Sequence, residues 1–166
     1  MTSTTTPTND TPNPAGPDRV VVEFTRGTAR FIRLFGVLAL VAGIGMVLAG
    51  GVVWGLVSSE LAAEKIVVAE DSTLLPGVPV TGPLSAYAEA EIISQHALEA
   101  SGGQTYAELD RDDPVRATMM NASFLRASLF TSVVSFGVAA FAMGMGLFVA
   151  ATGWVLTRIA PKQATR

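Results

Sequence analysis

The residues of this chain that could do chemistry are concentrated between positions 58 and 128. That stretch contains the single histidine, His96, and eleven carboxylates against four basic residues, which gives a net charge of −7. His96 stands seven residues after Glu89 and three before Glu99, so one helix offers one imidazole and a nearby acid. Zinc and non-haem iron sites usually need more histidine or cysteine ligands than this. We therefore interpret His96 as a solvated surface residue and predict no metal ion or other cofactor.

A second group of carboxylates lies close together in the sequence and could attract Ca²⁺: Glu108, Asp110, Asp112 and Asp113. The spacing and the glycine of an EF-hand loop are missing. Two of these acids have local interpretations, because Thr105-x-x-Glu108 has capping-box spacing and Asp113 precedes Pro114 as a helix cap does. Cation binding by the acidic segment is left open.

Known catalytic and nucleotide-binding motifs do not occur in the sequence. There is no nucleophile elbow, phosphate-binding loop or dinucleotide fingerprint, and the absence of cysteine excludes thiol chemistry. Four hydroxyl residues could line a pore, although such side chains usually bond back to a carbonyl one turn earlier: Ser128, Thr131, Ser132 and Ser135. We predict no catalytic residue and no nucleic-acid partner.

Two charge-free runs flank the acidic stretch: 26 residues from Leu34 to Ser59, and 31 residues from Ala127 to Thr157. A bilayer core about 30 Å thick needs roughly 20 apolar helical residues. The sequence therefore predicts an all-α membrane protein, with two transmembrane helices and a helical extracytoplasmic connection. A cleaved signal peptide is the alternative for the first run, but its apolar region is usually only about 7–15 residues long.

The chain divides into five predicted segments. Pro83 suits the first position of a helix, and Ser101-Gly102-Gly103 suits its end. The segments are a disordered cytoplasmic tail (1–28), the first transmembrane helix with an outer extension (29–65), an acidic extracytoplasmic segment with a helix at about 84–100 (66–113), an outer extension with the second transmembrane helix (114–159), and a cytoplasmic tail (160–166).

Basic residues at the ends of the two runs indicate the orientation: Arg26, Arg30 and Arg33 before the first, Arg158 and Lys162 after the second. Lysine and arginine next to a span favour the cytoplasmic side. We predict a multi-pass protein of the cell membrane with both termini cytoplasmic. Arg126, just before the second run, is the exception to this pattern.

Small residues four positions apart occur in both runs. Gly51 and Gly55 form a GxxxG motif in the first, while Ala142, Gly146 and Ala150 repeat in the second. Such residues let helices approach closely, so these faces pair the two spans with each other or bind a partner. Two tryptophans near span ends are predicted interfacial anchors: Trp54 and Trp154.

The stretches 105–114, 116–118 and 121–132 resemble a family of small two-span membrane proteins from actinobacteria, and segments 53–58 and 65–68 share the similarity. The likeness covers most of the chain beyond residue 30. Many members carry the name aromatic ring-opening dioxygenase. Enzymes of that kind hold iron with histidine and glutamate in a soluble fold, and this chain has one histidine, so the resemblance implies no catalytic residue here.

These features favour a non-enzymatic interaction or accessory component of the cell envelope. Its expected partners are the lipid bilayer and another membrane protein or a second copy of the chain. A small homo-oligomeric channel is the alternative, since two spans with internal termini suit a ring around a pore. An enzyme is the third possibility.

Overall fold

The computed structural model describes residues 26–159, and these residues form three α-helices. Helix α1 spans Arg26–Ala63, α2 spans Pro83–Ala100 and α3 spans Arg116–Ile159. The described residues contain no β-strand, only an isolated antiparallel bridge between Val67 and Pro79. The all-helical architecture is therefore as the sequence predicts. Residues 1–25 of the tail predicted at 1–28, and the tail predicted at 160–166, lie outside the described residues.

Helix α1 is shifted toward the N-terminus relative to its predicted bounds of 29–65. Residues 26–28, assigned from sequence to the N-terminal tail, form its first turn. Its end is marked by Lys65, which has a left-handed backbone with φ 56°. The Lys65 amide donates to the carbonyl oxygen of Ala62 at 3.2 Å, a tightened last turn that satisfies one free carbonyl.

Helix α2 has the local signals that its sequence predicts at both ends. The Ser85 hydroxyl oxygen accepts hydrogen bonds from the amides of Thr81 and Gly82, both at 3.2 Å. After the last turn, Gly103 has φ 88° and donates to the carbonyl oxygen of Leu98 at 2.7 Å. This positive φ is easy only for glycine and closes the helix.

Helix α3 begins just after Asp113, the predicted N-terminal capping residue. The Asp113 carboxylate accepts a hydrogen bond from the Val115 amide at 2.8 Å, and the helix follows from Arg116 to Ile159. Its 44 residues give a length of about 66 Å. The helix is thus much longer than a bilayer core is thick.

Helices α1 and α3 pack antiparallel through small residues spaced by seven. On α1 these are Gly36, Gly43 and Gly50; facing them on α3 are Gly153, Gly146 and Ala139. Seven residues are close to two helical turns, so each set lies along one side of its helix. A side chain at any of these glycines would meet the backbone of the facing helix, so the close spacing of the two helices depends on the absence of side chains at these positions.

Residues 64–126 form a folded unit at one end of this helix pair, and we call them the cap. Helix α2 packs along α3 and, among the described helices, contacts α3 alone. One apolar core joins the cap to the long helices: Leu61, Val68, Val80, Ala86, Ala88, Ala90, Leu129 and Phe136. A smaller cluster of Ala97, Leu109 and Met119 lies farther out. The cap is therefore built directly onto the long helices.

Candidate functional site: the helix contact and the cap

The packing residues predicted in the second run lie on α3 beside α1. Gly146 is buried, and a Cβ atom there would lie 2.7 Å from the carbonyl oxygen of Gly43. A Cβ atom on Gly43 would lie 2.5 Å from the amide nitrogen of Ala150. Ala142 is half-buried on the same helix. Gly146 and Ala150 therefore take part in a close backbone approach between the two long helices.

The GxxxG motif of α1 lies on a different face. Gly51 and Gly55 are exposed, and a Cβ atom on either would have nothing within 4 Å. The α1–α3 contact uses Gly36, Gly43 and Gly50 instead. The GxxxG motif therefore does not pair the two spans, which corrects that prediction. Binding of a partner at Gly51 and Gly55 stays a prediction. The seven-residue spacing of the three buried glycines is the sequence signal that indicates the right face.

The two tryptophans have different surroundings. Trp54 packs edge-to-face on Phe136, with ring centroids 4.8 Å apart, and is half-buried at the edge of the core. Trp154 is 52% exposed, and the guanidinium of Arg158 lies 5.2 Å from its ring centroid. Trp154 has an amphipathic setting that suits a membrane interface, whereas Trp54 also has a packing role that the sequence did not indicate.

His96 and Asp71 connect α2 to the loop that precedes it. His96 Nε2 lies 2.6 Å from Asp71 Oδ2, and their side chains are 47% and 64% exposed. This hydrogen bond raises the pKa of His96 and lowers that of Asp71, and the charges of Glu99 and Glu89 raise the histidine pKa further. Glu89 also accepts a hydrogen bond from the Ala69 amide at 3.1 Å. His96 is a surface residue, as expected, but with a partner 25 residues away.

The acidic cluster after α2 is organised by local hydrogen bonds. The amide and hydroxyl of Thr105 donate to Glu108 Oε2 at 2.7 and 2.8 Å, which lowers the pKa of Glu108. Arg116 stacks 4.1 Å from the Tyr106 ring centroid and donates to the carbonyl oxygens of Tyr106 and Leu109. Within the described residues no group of three His, Cys, Asp or Glu side chains could hold a metal ion.

Three of the four hydroxyls proposed from sequence as a pore lining bond within α3. Thr131, Ser132 and Ser135 donate to the carbonyl oxygens of Ala127, Ser128 and Thr131 at 2.8, 3.3 and 2.8 Å. Each bond reaches back one helical turn, the usual arrangement for such residues in a helix. These side chains therefore have a local structural explanation.

Two grooves lie in the cap on either side of α2. One, of about 280 Å³, lies between α2 and residues 72–74. The other, of about 340 Å³, lies between α2, residues 105–107 and α3. Its lining combines apolar side chains such as Leu98 and Met119 with hydroxyls and with Arg126. We call the second one the Arg126 groove; the sequence did not indicate it, because its walls come from three separate segments.

Large apolar side chains cover the outward surfaces of α1 and α3. Five of them are 63–69% exposed: Phe31, Phe35, Leu48, Phe141 and Phe148. A helix in the core of a soluble protein would bury such residues. The molecule is an all-helical protein in which two helices are long and apolar enough to cross a membrane.

No family model, curated protein or solved structure matches the chain.

Proposed function

We propose that the chain is a two-pass membrane protein whose long helices cross the bilayer and hold the cap at one membrane surface. The α1–α3 register supports this placement. Gly36 faces Gly153 and Gly50 faces Ala139, so the charge-free run 34–59 lies beside residues of about 130–155, which also carry no charge. The two apolar runs therefore coincide in height, as two spans of one bilayer must.

In the orientation that we propose, the cap lies outside the cell membrane and both termini lie in the cytoplasm. Arg30 and Arg33 lie at the same end of the helix pair as Arg158, so three basic residues share the end opposite the cap. Positive charge at span ends favours the cytoplasmic side. The cap, in a stretch with a net charge of −7, is then exported.

In this placement the protein acts as a non-enzymatic interaction or accessory component of the cell envelope. The observation that carries the proposal is the firm connection between the cap and the spans. Their shared core includes Leu61 and Leu129, and the Ser58 hydroxyl donates to the carbonyl oxygen of Thr81 at 2.6 Å. An acidic surface held at a fixed height above the bilayer suits contact with another membrane protein or a second copy.

Topology is tested by single-cysteine labelling, because the natural chain has no cysteine and gives no background. Gln104→Cys lies in the cap and Gly27→Cys at the opposite end, and both positions are exposed. In intact cells a membrane-impermeant maleimide should label Gln104→Cys only, and Gly27→Cys should react after permeabilisation. Labelling of Gly27→Cys alone in intact cells would reverse the orientation, and recovery of the chain in the soluble fraction would remove the membrane placement.

The interaction role is tested by photo-crosslinking in native membranes. A photoreactive residue replaces Val52 beside the open glycine face, or Gln95 in the cap; the control replaces Phe148 on α3. An adduct of one defined mass should form from the first two positions and not from the control. Gly55→Leu should weaken the Val52 adduct, whereas Gly45→Leu should not, although both glycines are open. A solitary monomer at every position contradicts the proposal.

A further inference from the structure

We propose that the Arg126 groove binds the headgroup of a zwitterionic phospholipid from the outer leaflet, with the phosphate held by Arg126. This inference rests on the membrane placement proposed above. It assigns to the cap a ligand class that neither the helix packing nor the interaction role requires.

The groove lies at the height where lipid phosphates lie. Arg126 is the last charged residue before the charge-free run of α3. Phe130, one turn farther along, lies below the guanidinium, with 5.4 Å between the guanidinium carbon and the ring centroid. Arg126 is thus placed in the headgroup region and Phe130 at the edge of the hydrocarbon. From Arg126 the groove extends outward along α3 to Met119, seven residues or about 10 Å away.

Beside the Arg126 groove an aromatic pair joins α3 to α2, and its tyrosine, Tyr87, lines the other groove of the cap. The Tyr87 ring packs edge-to-face on Phe130, with centroids 5.9 Å apart. Aromatic side chains concentrate at membrane interfaces because they present an apolar ring and tolerate a polar surrounding. Leu84, one turn before Tyr87, is 68% exposed, so the start of α2 also presents an apolar residue at this height. The surface next to the Arg126 end of the groove is therefore suited to contact with lipid.

Arg126 is available to an anion. Among the described side chains, those of residues 27–159, the only ion pair is that between Asp71 and His96, so none of these carboxylates pairs with Arg126. An arginine that stays unpaired in a strongly acidic segment is an isolated site for negative charge. The planar guanidinium can donate two parallel hydrogen bonds to a phosphate, which makes arginine better suited to this group than lysine.

The remaining groove chemistry favours a headgroup that carries an amine beyond its phosphate. Ser94 and Thr105 line the groove, and the Thr105 hydroxyl is bonded to the Glu108 carboxylate. Negative charge therefore adjoins the groove wall away from Arg126. In phosphatidylethanolamine the phosphate is next to the glycerol and the ammonium lies farther out, so the charge order of ligand and groove agrees. A net negative headgroup is repelled by the acidic cap.

The test is native mass spectrometry of the full chain, released from detergent with added palmitoyl-oleoyl phosphatidylethanolamine or phosphatidylglycerol. The wild type should retain phosphatidylethanolamine more strongly than phosphatidylglycerol. Arg126→Gln should lower this retention about tenfold or more, as expected for loss of a charged hydrogen bond. Arg158→Gln is the matched control, because Arg158 also lies against an aromatic ring but lines neither groove.

A second variant keeps Arg126 and fills the groove. Ser123 is exposed and lines the groove, so Ser123→Phe should exclude the headgroup while leaving the core unchanged. Soluble glycerophosphoethanolamine should bind at least about tenfold more weakly than the lipid, because it lacks the acyl chains that lie on Phe130.

Any one of three results overturns the inference. These are equal retention of phosphatidylethanolamine by wild type and Arg126→Gln, stronger retention of phosphatidylglycerol than of phosphatidylethanolamine, and equal binding of glycerophosphoethanolamine and the lipid. The cysteine-labelling result separates this failure from failure of the membrane placement. If Gln104→Cys is labelled from outside and lipid retention is unchanged by Arg126→Gln, the headgroup site alone is wrong.

Discussion

His96 and Asp71 form an exposed contact between α2 and the loop that precedes it. The folded pKa of His96 is raised, so its contribution to stability is fully present below the unfolded value of about 6.5 and is lost as pH rises through the folded pKa. The folded pKa of Asp71 is lowered, so its contribution is present above its unfolded value of about 3.9 and is lost as pH falls through the folded pKa. The contact is therefore strongest between roughly pH 4 and 6.5.

Because His96 is the only histidine, its imidazole ring protons can be titrated by NMR without overlap from another histidine. We expect its pKa to lie above about 6.5 in the wild type and to fall in Asp71→Asn, since the first and largest cause of the shift is the hydrogen bond to Asp71. Glu99→Gln is the control, and it should lower the pKa by less because Glu99 acts through its charge alone. A titration unchanged by Asp71→Asn contradicts the contact.

Local and distant contacts of the cap differ in how far the sequence predicts them. Thr105 and Glu108 are three residues apart, so their hydrogen bonds follow from the capping-box spacing. Asp71 and His96 are 25 residues apart and meet only after the loop has packed on α2. No periodicity or motif links these two positions, so the sequence could indicate each residue but not the pair.

At the scale of the helices, the α1–α3 contact depends on the absence of side chains at buried glycines. In Gly43→Leu the Cβ atom alone would lie 2.5 Å from backbone atoms of α3, so the helices must move apart. We expect destabilisation of about 1–3 kcal/mol, as for overpacking of a dense interior. Thermal unfolding in nanodiscs, followed by circular dichroism, measures this change.

Gly45→Leu is the matched control on the same helix. A Cβ atom on Gly45 meets nothing within 4 Å, so the same substitution adds no clash. The melting temperature should stay the same or rise, because leucine has a higher helix propensity than glycine. If both variants unfold at the same temperature, the contact face is wrongly assigned.

Asp113 is the N-terminal capping residue of α3 and sets the start of that helix. Asp113→Ala removes the acceptor of the Val115 amide hydrogen bond. Loss of an N-capping side chain lowers the free energy of unfolding by about 1 kcal/mol. Hydrogen–deuterium exchange should become faster in the first turn of α3 and stay unchanged in the membrane segment. Asp112→Ala is the control, because Asp112 is an exposed neighbour. Equal exchange in the two variants contradicts the capping role.

The sequence predicts the helices better than it predicts their facing surfaces. Bounds follow from local signals: Pro83 opens α2, and Gly103 closes it. The facing surface of α1 depends on which of several glycines meets α3. Gly51 and Gly55 satisfy the familiar four-residue spacing, yet Gly43 and its seven-residue neighbours make the contact. One helix can carry both patterns on different sides, and only the position of the partner helix distinguishes them.

For the whole molecule, the arrangement of charge and apolar surface is consistent along both long helices. The charge-free run of α1 and its counterpart on α3 span about 26 residues, or about 39 Å. This exceeds a hydrocarbon thickness of about 30 Å, so the pair can tilt or extend a turn into the headgroups. In the proposed placement the cap sits on the outer end of the pair, where its core packs on Leu61, Leu129 and Phe136.

The two tryptophans can report this placement, because the chain has no others. In lipid vesicles, Trp54→Phe leaves only Trp154 and Trp154→Phe leaves only Trp54. Trp154 lies three residues inside the end of its run and Trp54 five residues inside, about 5 and 8 Å. Lipids brominated near the headgroup should therefore quench both tryptophans more than lipids brominated near the chain ends. Trp154 should be quenched more strongly, since it is 52% exposed while Trp54 packs on Phe136.

Aqueous iodide provides the opposite measurement on the same two variants. If α1 and α3 are embedded in lipid, iodide should have little access to either ring, because the outward surfaces of both helices face hydrocarbon. Strong iodide quenching of Trp154 with no effect of brominated lipid would place the helices in water. The apolar surface of α1 and α3 would then have to be covered by another protein, because side chains as large as Phe148 are up to 69% exposed on these helices.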